Sequence, residues 1–173
     1  MQLSFEEAFE DRLDKLTEVE EFANIPHTAQ YNCIKRFAEV ICAELGITMP
    51  NIVVAMNHQG CLYDPETNTV VLNPYQLDIY KASPLMVLAH ELRHKYQFDV
   101  GLLKPVAYNF NPFIRCLTMA WKEQVFDPMD RYKHHELPWE IDAIEYERVI
   151  AKRLNVKPFP RPELEEAEMK RSA

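Results

Sequence analysis

Apolar side chains recur every three to four residues in five stretches of the chain, a spacing that puts them on one face of an α-helix. The stretch at 28–45 is followed by Gly46, and the stretch at 84–98 begins after Ser83 and ends before Gly101. Serine often caps a helix N-terminus and glycine often follows a C-terminus, so these two stretches have defined ends. The pattern predicts helices over residues 3–22, 28–45, 84–98, 113–125 and 138–154.

Shorter apolar runs predict three strands. The β-branched run at 52–56 is typical of a strand that is largely covered on both faces. The runs at 61–64 and 69–73 flank a Pro-Glu-Thr-Asn segment, which predicts a β-hairpin because these residues favour turns. Proline and asparagine are frequent at 104–112, where we expect a loop, and three prolines disfavour a helix in the tail before residue 163.

The order of these elements predicts an α+β fold in a single domain. A chain of 173 residues is about the size of one ordinary domain and can bury a hydrophobic core. The sequence contains neither an internal repeat nor a glycine-rich linker that would indicate a boundary. We divide the domain into an N-terminal amphipathic extension at 1–26, a core at 28–154 and a proline-rich acidic tail at 155–173.

Composition narrows the choice of partner and compartment. Hydrophobic residues make up 47% of the chain and charged residues 27%, as in folded soluble proteins. The net charge of −8 argues against nucleic acid or an anionic membrane surface as the main partner. The sequence has neither a basic, apolar leader nor an apolar stretch of membrane length, and its four cysteines are scattered. These features predict a cytoplasmic protein with reduced thiols.

The most specific chemical signal is the string His90-Glu91-Leu92-Arg93-His94 inside the helix predicted at 84–98. Residues four apart share a helical face with Cβ atoms about 5–6 Å apart, so both imidazoles can bind one zinc ion. Glu91 projects about 100° away from His90, a direction that suits a general base acting on a zinc-bound water. The string therefore predicts His90 and His94 as metal ligands and Glu91 as the catalytic base.

A catalytic zinc ion needs a third protein ligand and an open position. We assign the third ligand to Glu140, in the string Pro-Trp-Glu-Ile-Asp-Ala that opens the helix predicted at 138–154. One turn further along, the small side chain of Ala143 lets this helix approach the histidine helix closely. The competing candidates for the third ligand are Glu136, His134 and His135.

Two supporting roles remain open between several residues. Asp142 or Glu145 would orient a ligand histidine through its second ring nitrogen, because such carboxylates fix the tautomer of metal-binding histidines. The oxyanion that develops on the substrate requires a hydrogen-bond donor near the metal. Our candidate for this catalytic role is Tyr146, and the alternatives are Tyr132, His134 and His135.

These residues resemble the zincin metallopeptidases, in particular the compact gluzincin-like members in which HExxH is followed by a distal E-x-x-A glutamate. The matching positions are His90, Glu91 and His94, then Glu140 with Ala143. The order of predicted elements over 28–154 is also similar, and small intracellular zincins of phages and mobile elements are the nearest likeness. The third histidine after a glycine that marks the metzincins is missing, and Ile144 stands where large gluzincins have an aspartate.

The resemblance implies a zincin-like fold. In such a fold a small, twisted, mainly antiparallel sheet packs on a backing helix and on the histidine helix, and a helical C-terminal part carries the third ligand. The resemblance also implies that the strand before the histidine helix, here 69–73, binds an extended substrate by backbone pairing.

The combined expectation is a zinc-dependent peptidase that acts on a peptide or protein substrate, with no nucleic acid or membrane partner. The alternatives are a non-catalytic regulatory or binding module that keeps zinc for its shape, and a zinc amidase with a non-peptide substrate. Glu91 favours an enzyme, because a structural zinc ion has four protein ligands and needs no base. Either terminus is a candidate for covering the cleft and keeping the enzyme latent.

Overall fold

The computed structural model describes residues 27–56, 60–80, 83–111, 114–126 and 133–161; the helix predicted at 3–22 lies outside them. The class is α+β, as the sequence predicts. In chain order the elements are α1 (His27–Leu45), β1 (Asn51–Val54), β2 (Leu62–Asp64), β3 (Thr69–Leu72), α2 (Pro74–Tyr80), α3 (Pro84–Asp99), β4 (Leu103–Asn111), β5 (Ile114–Trp121), β6 (Gln124–Val125), a 3-10 turn (His134–Glu136) and α4 (Pro138–Arg153).

Helices α1, α3 and α4 confirm three of the sequence predictions to within one residue at each end. Gly46 and Gly101 follow α1 and α3 with φ angles of +68° and +73°, a left-handed conformation that costs glycine little. Ser83 occupies the N-cap position of α3, but its side chain makes no capping hydrogen bond. Among the described helices, none combines the length and apolar composition that crossing a bilayer requires.

The first sheet has the strand order β1-β3-β2. Strand β3 pairs with β2 in the predicted hairpin, antiparallel, and with β1 in parallel. The prediction that the strand at 52–56 is covered on both faces is wrong, because Val54 is 49% exposed and Met56 72% exposed. The prediction that 69–73 pairs with a substrate is also wrong: both sides of β3 already bond to strands of the chain.

The second sheet, β4-β5-β6, corrects two further predictions. The segment expected to be a loop at 104–112 forms β4, and the helix expected at 113–125 is replaced by β5 and β6. Strand β4 tolerates Pro105 because it pairs on one side only among the described strands, so the missing N–H breaks no ladder on its other side. The many apolar residues at 113–125 are compatible with a helix and with a strand. The segment forms strands because it pairs with β4.

Two apolar clusters hold these elements together. The larger one joins α1, β1, β3, α3 and α4 and includes Phe37, Leu72, Leu88 and Ile150, all fully buried. The smaller one gathers residues of β4 and β5 around Phe126 and Trp139, whose rings meet edge to face at 5.1 Å. Because Trp139 precedes Glu140, the smaller cluster fixes the first turn of α4 and with it the glutamate expected to bind metal.

We predict that Ile150→Ala lowers the free energy of unfolding by about 2–5 kcal/mol, because the substitution leaves a cavity in the larger cluster. Val149→Ala, the neighbouring position on α4 and 48% exposed, is expected to change it by about 0.5 kcal/mol or less. Urea unfolding of both variants measures the difference. Equal losses would contradict the assignment of Ile150 to the core.

Candidate metal centre

The side chains of His90, His94 and Glu140 converge where α3 faces the start of α4. The Nε2 atoms of the two histidines lie 3.1 Å apart. His90 Nε2 is 3.3 Å from Glu140 Oε2, and His94 Nε2 is 3.3 Å from Glu140 Oε1. Within the described residues these three form a group whose donor atoms could hold a metal ion. The two ligands predicted on one helix and the third predicted from a distant segment therefore come together.

Local structure explains this convergence. His90 and His94 are one helical turn apart on α3, so their rings emerge from the same face. Glu140 lies in the first turn of α4 and is 5% exposed. Ala143, one turn further along α4, is fully buried.

On the side away from the metal group, Gln97 holds the ring of His94. The Gln97 side chain is fully buried, and its Oε1 lies 2.9 Å from His94 Nδ1. Its Nε2 donates to the Trp139 carbonyl at 2.9 Å and to Asp142 Oδ2 at 2.8 Å. Both amide hydrogens are thus used and Oε1 must accept, so Nδ1 of His94 carries a proton and Nε2 presents its lone pair to the centre. Arg93 in turn holds Asp142 through two hydrogen bonds of 2.8 and 3.0 Å.

A buried carboxylate lies behind the other histidine. Glu147 is fully buried, two turns beyond Glu140 on the same face of α4, and its Oε2 is 3.6 Å from His90 Nδ1. The same oxygen accepts a hydrogen bond of 2.6 Å from Arg161, and Oε1 accepts one from the backbone N–H of Phe159. Each ligand histidine therefore has its own buried partner on the ring nitrogen that faces away from the centre.

The charges at the centre favour a bound cation. Burial lowers the pKa of His90, but its hydrogen bonds to Glu140 and Glu147 and the charge of Glu91 raise it by more, to about 9. Burial raises the pKa of Glu140 and of Glu147, but hydrogen bonds hold both below the usual range, from His90 and His94 on Glu140 and from His90 and Arg161 on Glu147. Two ionised carboxylates thus flank His90, and in the metal-free protein a proton on its ring supplies the compensating positive charge.

Glu91 lies beside this group without belonging to it. The residue is 7% exposed, and its charge acts on His90 and on the thiol of Cys61. Burial, above all, raises the pKa of the Cys61 thiol, to about 11, and the Glu91 carboxylate contributes. Glu91 follows His90 directly on α3, so its side chain leaves the helix about 100° away from that of His90. Within the described residues the possible metal group does not include it.

The residues that compete with Glu140 for the role of third ligand are His134, His135 and Glu136. His134 Nε2 is 3.3 Å from Glu140 Oε1, but the His134 side chain is 79% exposed, at the rim of the centre. Glu136 is exposed and accepts a hydrogen bond from the backbone N–H of Lys133. Among the residues of the described ranges, the possible metal group contains neither His134, His135 nor Glu136.

Tyr146 makes no hydrogen bond with His90, His94 or Glu140 in the described part of the chain. Its buried hydroxyl has no hydrogen-bond partner within the described part of the chain, and its ring packs against the larger apolar cluster. Burial raises its pKa, and the charged groups that act on it are Glu44, Arg153 and Arg93. Tyr132, the other tyrosine considered for the oxyanion, lies outside the described residues.

Asp142 and Glu145, the two carboxylates considered for orienting a histidine, differ in their contacts and exposure. Asp142 supports His94, but at one remove, through Gln97. Glu145 is exposed. The sequence reasoning missed Gln97, Glu147 and Arg161. Helical spacing carried a signal for the first two, since Gln97 lies seven residues beyond His90 and Glu147 seven beyond Glu140, two turns along the same faces.

Comparison of the chain with protein-family models, with curated proteins and with solved structures finds no match.

We predict that Gln97→Leu weakens binding of the expected zinc ion by about 10–100-fold, because His94 loses the partner that fixes its tautomer and aim. Gln124→Leu, an exposed position in β6, is the matched control and is expected to bind zinc like the wild type. Competition with a chromophoric chelator measures the affinity. If both variants bind equally well, Gln97 does not orient the ligand.

We predict that zinc affinity rises by up to tenfold per pH unit between pH 6 and 8, because zinc must displace the proton on His90, whose pKa is about 9. In the metal-free protein this proton stabilises the fold below the ordinary pKa of 6.5, and the contribution is lost as the pH rises through about 9. The unfolding temperatures of zinc-loaded and metal-free protein should therefore separate further as the pH increases. A separation that does not change with pH would contradict the proton's place at the centre.

Proposed function

We propose that this protein is a zinc-dependent peptidase in which His90, His94 and Glu140 bind the metal and Glu91 acts as general base. The observation that carries the proposal is the convergence of two imidazole nitrogens and a buried carboxylate next to a fourth residue, Glu91, that remains outside the ligand group. This combination supports hydrolysis, because a base beside three metal ligands has no purpose in a site that only holds the fold together.

The spacing of the donor atoms supports zinc in particular. Zinc binds imidazole nitrogen and carboxylate oxygen at about 2.0–2.2 Å in tetrahedral geometry, which places neighbouring donors about 3.3–3.6 Å apart. The separations are 3.1 Å between the two Nε2 atoms and 3.3 Å from each Nε2 to an oxygen of Glu140. These separations lie at the lower end of that range or just below it, so His90, His94 and Glu140 would together hold a zinc ion.

When bound, zinc would activate a water and polarise the scissile carbonyl. Glu91 would accept a proton from the attacking water, and its carboxyl would then deliver that proton to the nitrogen that leaves when the peptide bond breaks. Gln97 keeps the ring of His94 in the tautomer that presents Nε2, and Glu147 faces Nδ1 of His90 at 3.6 Å. Burial of the group excludes bulk water from the charges and so strengthens their action on the substrate.

A peptide substrate has a suitable edge at β2. This strand bonds to β3 on one side, and among the described strands none covers its other side. It runs along α3, with Tyr63 against the ring of Phe98 at 6.0 Å and below the amine of Lys95 at 5.7 Å. An extended peptide would add to this edge of β2 by backbone pairing, next to α3, the helix that carries Glu91.

One observation favours the second candidate, a non-catalytic zinc module. His134 contacts Glu140 at 3.3 Å and would close the coordination if its ring turned to the metal. Its high exposure argues for the peptidase, since structural zinc ligands are normally buried and held by partners of their own.

We predict that Glu91→Gln retains zinc but loses hydrolysis of an unfolded protein such as casein by about 10²–10⁴-fold, because an amide cannot accept the proton of the attacking water. His94→Ala is expected to lose both zinc and activity. Zinc is measured by elemental analysis of the purified proteins, and turnover by release of labelled peptides.

His134→Ala is the control that separates the two candidate functions. An open, catalytic site predicts wild-type zinc content in this variant, whereas a closed, structural site predicts a loss as large as in His94→Ala. Equal turnover of the wild type and Glu91→Gln would remove the peptidase mechanism.

A further inference from the structure

The chain reverses its direction directly after α4. Asn155 has a φ of +54°, and the N–H of Val156 donates to the carbonyl of Ala151 at 2.9 Å, which ends the helix and turns the backbone. Val156 and Phe159 then pack against the larger apolar cluster. Residues 155–161 consequently run back along α4 towards the metal centre, over the length of about two helical turns.

Two prolines determine which backbone group the returning segment can offer. Pro158 and Pro160 have no N–H, so Phe159 supplies the single backbone donor between them. That donor bonds to Oε1 of Glu147. Proline also restricts the residue before it to an extended conformation, which limits Phe159 to the geometry that this contact uses.

Arg161 completes the contact with Glu147. Its Nη2 donates to Glu147 Oε2 at 2.6 Å and lies 3.4 Å from His90 Nδ1. Its Nη1 donates to the carbonyl of Phe159 at 3.3 Å, and its guanidinium lies over the Phe159 ring at 4.9 Å. The arginine is thus anchored by the segment that carries it and presents one edge to Glu147.

Glu147 depends on these contacts. A fully buried carboxylate without donors would be strongly disfavoured in its charged form. Here Oε1 accepts from the backbone of Phe159, and Oε2 accepts from Arg161 and faces His90 Nδ1. Residues of the tail therefore set the direction in which Glu147 points, and with it the orientation of the His90 ring.

We propose that residues 158–161, here named the tail clamp, are positioning residues of the metal centre: they hold Glu147 against His90 and so keep His90 Nε2 aimed at the metal. This inference rests on the proposed function in that the ion at the centre is taken to be zinc. It assigns this part of the proline-rich tail to the metal site, behind His90, and not to a cover over the cleft.

The test compares two cations of the tail. Arg161→Met is expected to weaken zinc binding by about 10–100-fold, whereas Lys157→Met, an exposed tail position, leaves it unchanged. Arg161→Lys keeps a positive charge near Glu147 but lacks the planar fork that also reaches the Phe159 carbonyl, so an intermediate affinity is expected. Zinc affinity is measured by chelator competition, and the unfolding temperature of the metal-free proteins is recorded beside it.

A positioning role and a merely structural role differ in these readouts. Positioning lowers the rise in unfolding temperature that zinc causes, while a structural role lowers the metal-free and zinc-loaded temperatures equally and leaves zinc affinity unchanged. Equal zinc affinity of Arg161→Met and Lys157→Met would overturn the proposal. If Arg161→Met does not fold, wild-type affinity of Arg161→Lys would overturn it and weakened affinity would support it.

Two shortened chains give an independent comparison. A chain that ends after Arg161 retains the tail clamp and is expected to bind zinc like the full chain, whereas one that ends after Lys157 loses it and binds zinc at least tenfold more weakly. Equal affinities of the two shortened chains would overturn the proposal. If the full chain binds no zinc, the proposed function fails with it; if it binds zinc but tail changes have no effect, the tail clamp alone fails.

Discussion

The structure depends on a buried, ionised glutamate, Glu140, whose charge is compensated by the two imidazoles that it faces. Burying the Glu140 charge would destabilise the fold if the charge were uncompensated. His90 and His94 compensate it from α3, and they can do so only when α4 lies against α3 along its first turns. The arrangement of the centre therefore depends on the packing of these two helices against each other.

The two histidines are held in different ways. His94 is fixed by a neutral amide, Gln97, which relays the charge of Asp142 and its partner Arg93. His90 is backed directly by a buried carboxylate, Glu147. A carboxylate raises the basicity of its histidine more than an amide does, so the two histidines are supported unequally, and the pKa of His90 is raised to about 9.

The second sheet contributes to the centre although it lies outside the first core. Trp139 links the two: its ring packs against Phe126 in the smaller cluster, while its carbonyl accepts a hydrogen bond from Gln97. Through this residue the β4-β5-β6 sheet determines where α4 begins. A segment whose local pattern indicates only a loop and a helix thus helps to position Glu140, the candidate third ligand, and part of the support of His94.

The sequence by itself determined the features that depend on neighbours along the chain. These features are the spacing of His90 and His94 on one helical face, the ends of α1 and α3 at glycines, and the β2-β3 hairpin. Each involves about one or two turns of a helix, or one tight turn between strands, where local geometry dominates. The assignment of Glu140 to the same group came from its place at the start of a helix and from a resemblance, and the structure brings it to the histidines.

Only the tertiary structure decided the features that depend on distant partners. Four such features are absent from any local pattern: the pairing of β4 with β5, the central position of β3, the burial of the Tyr146 hydroxyl and the return of Arg161 to Glu147. Strand pairs and ion pairs join residues that are far apart in sequence, and they form where they bury apolar surface and give most buried polar groups a hydrogen-bond partner. These contacts exist only in the folded chain and not in any single segment.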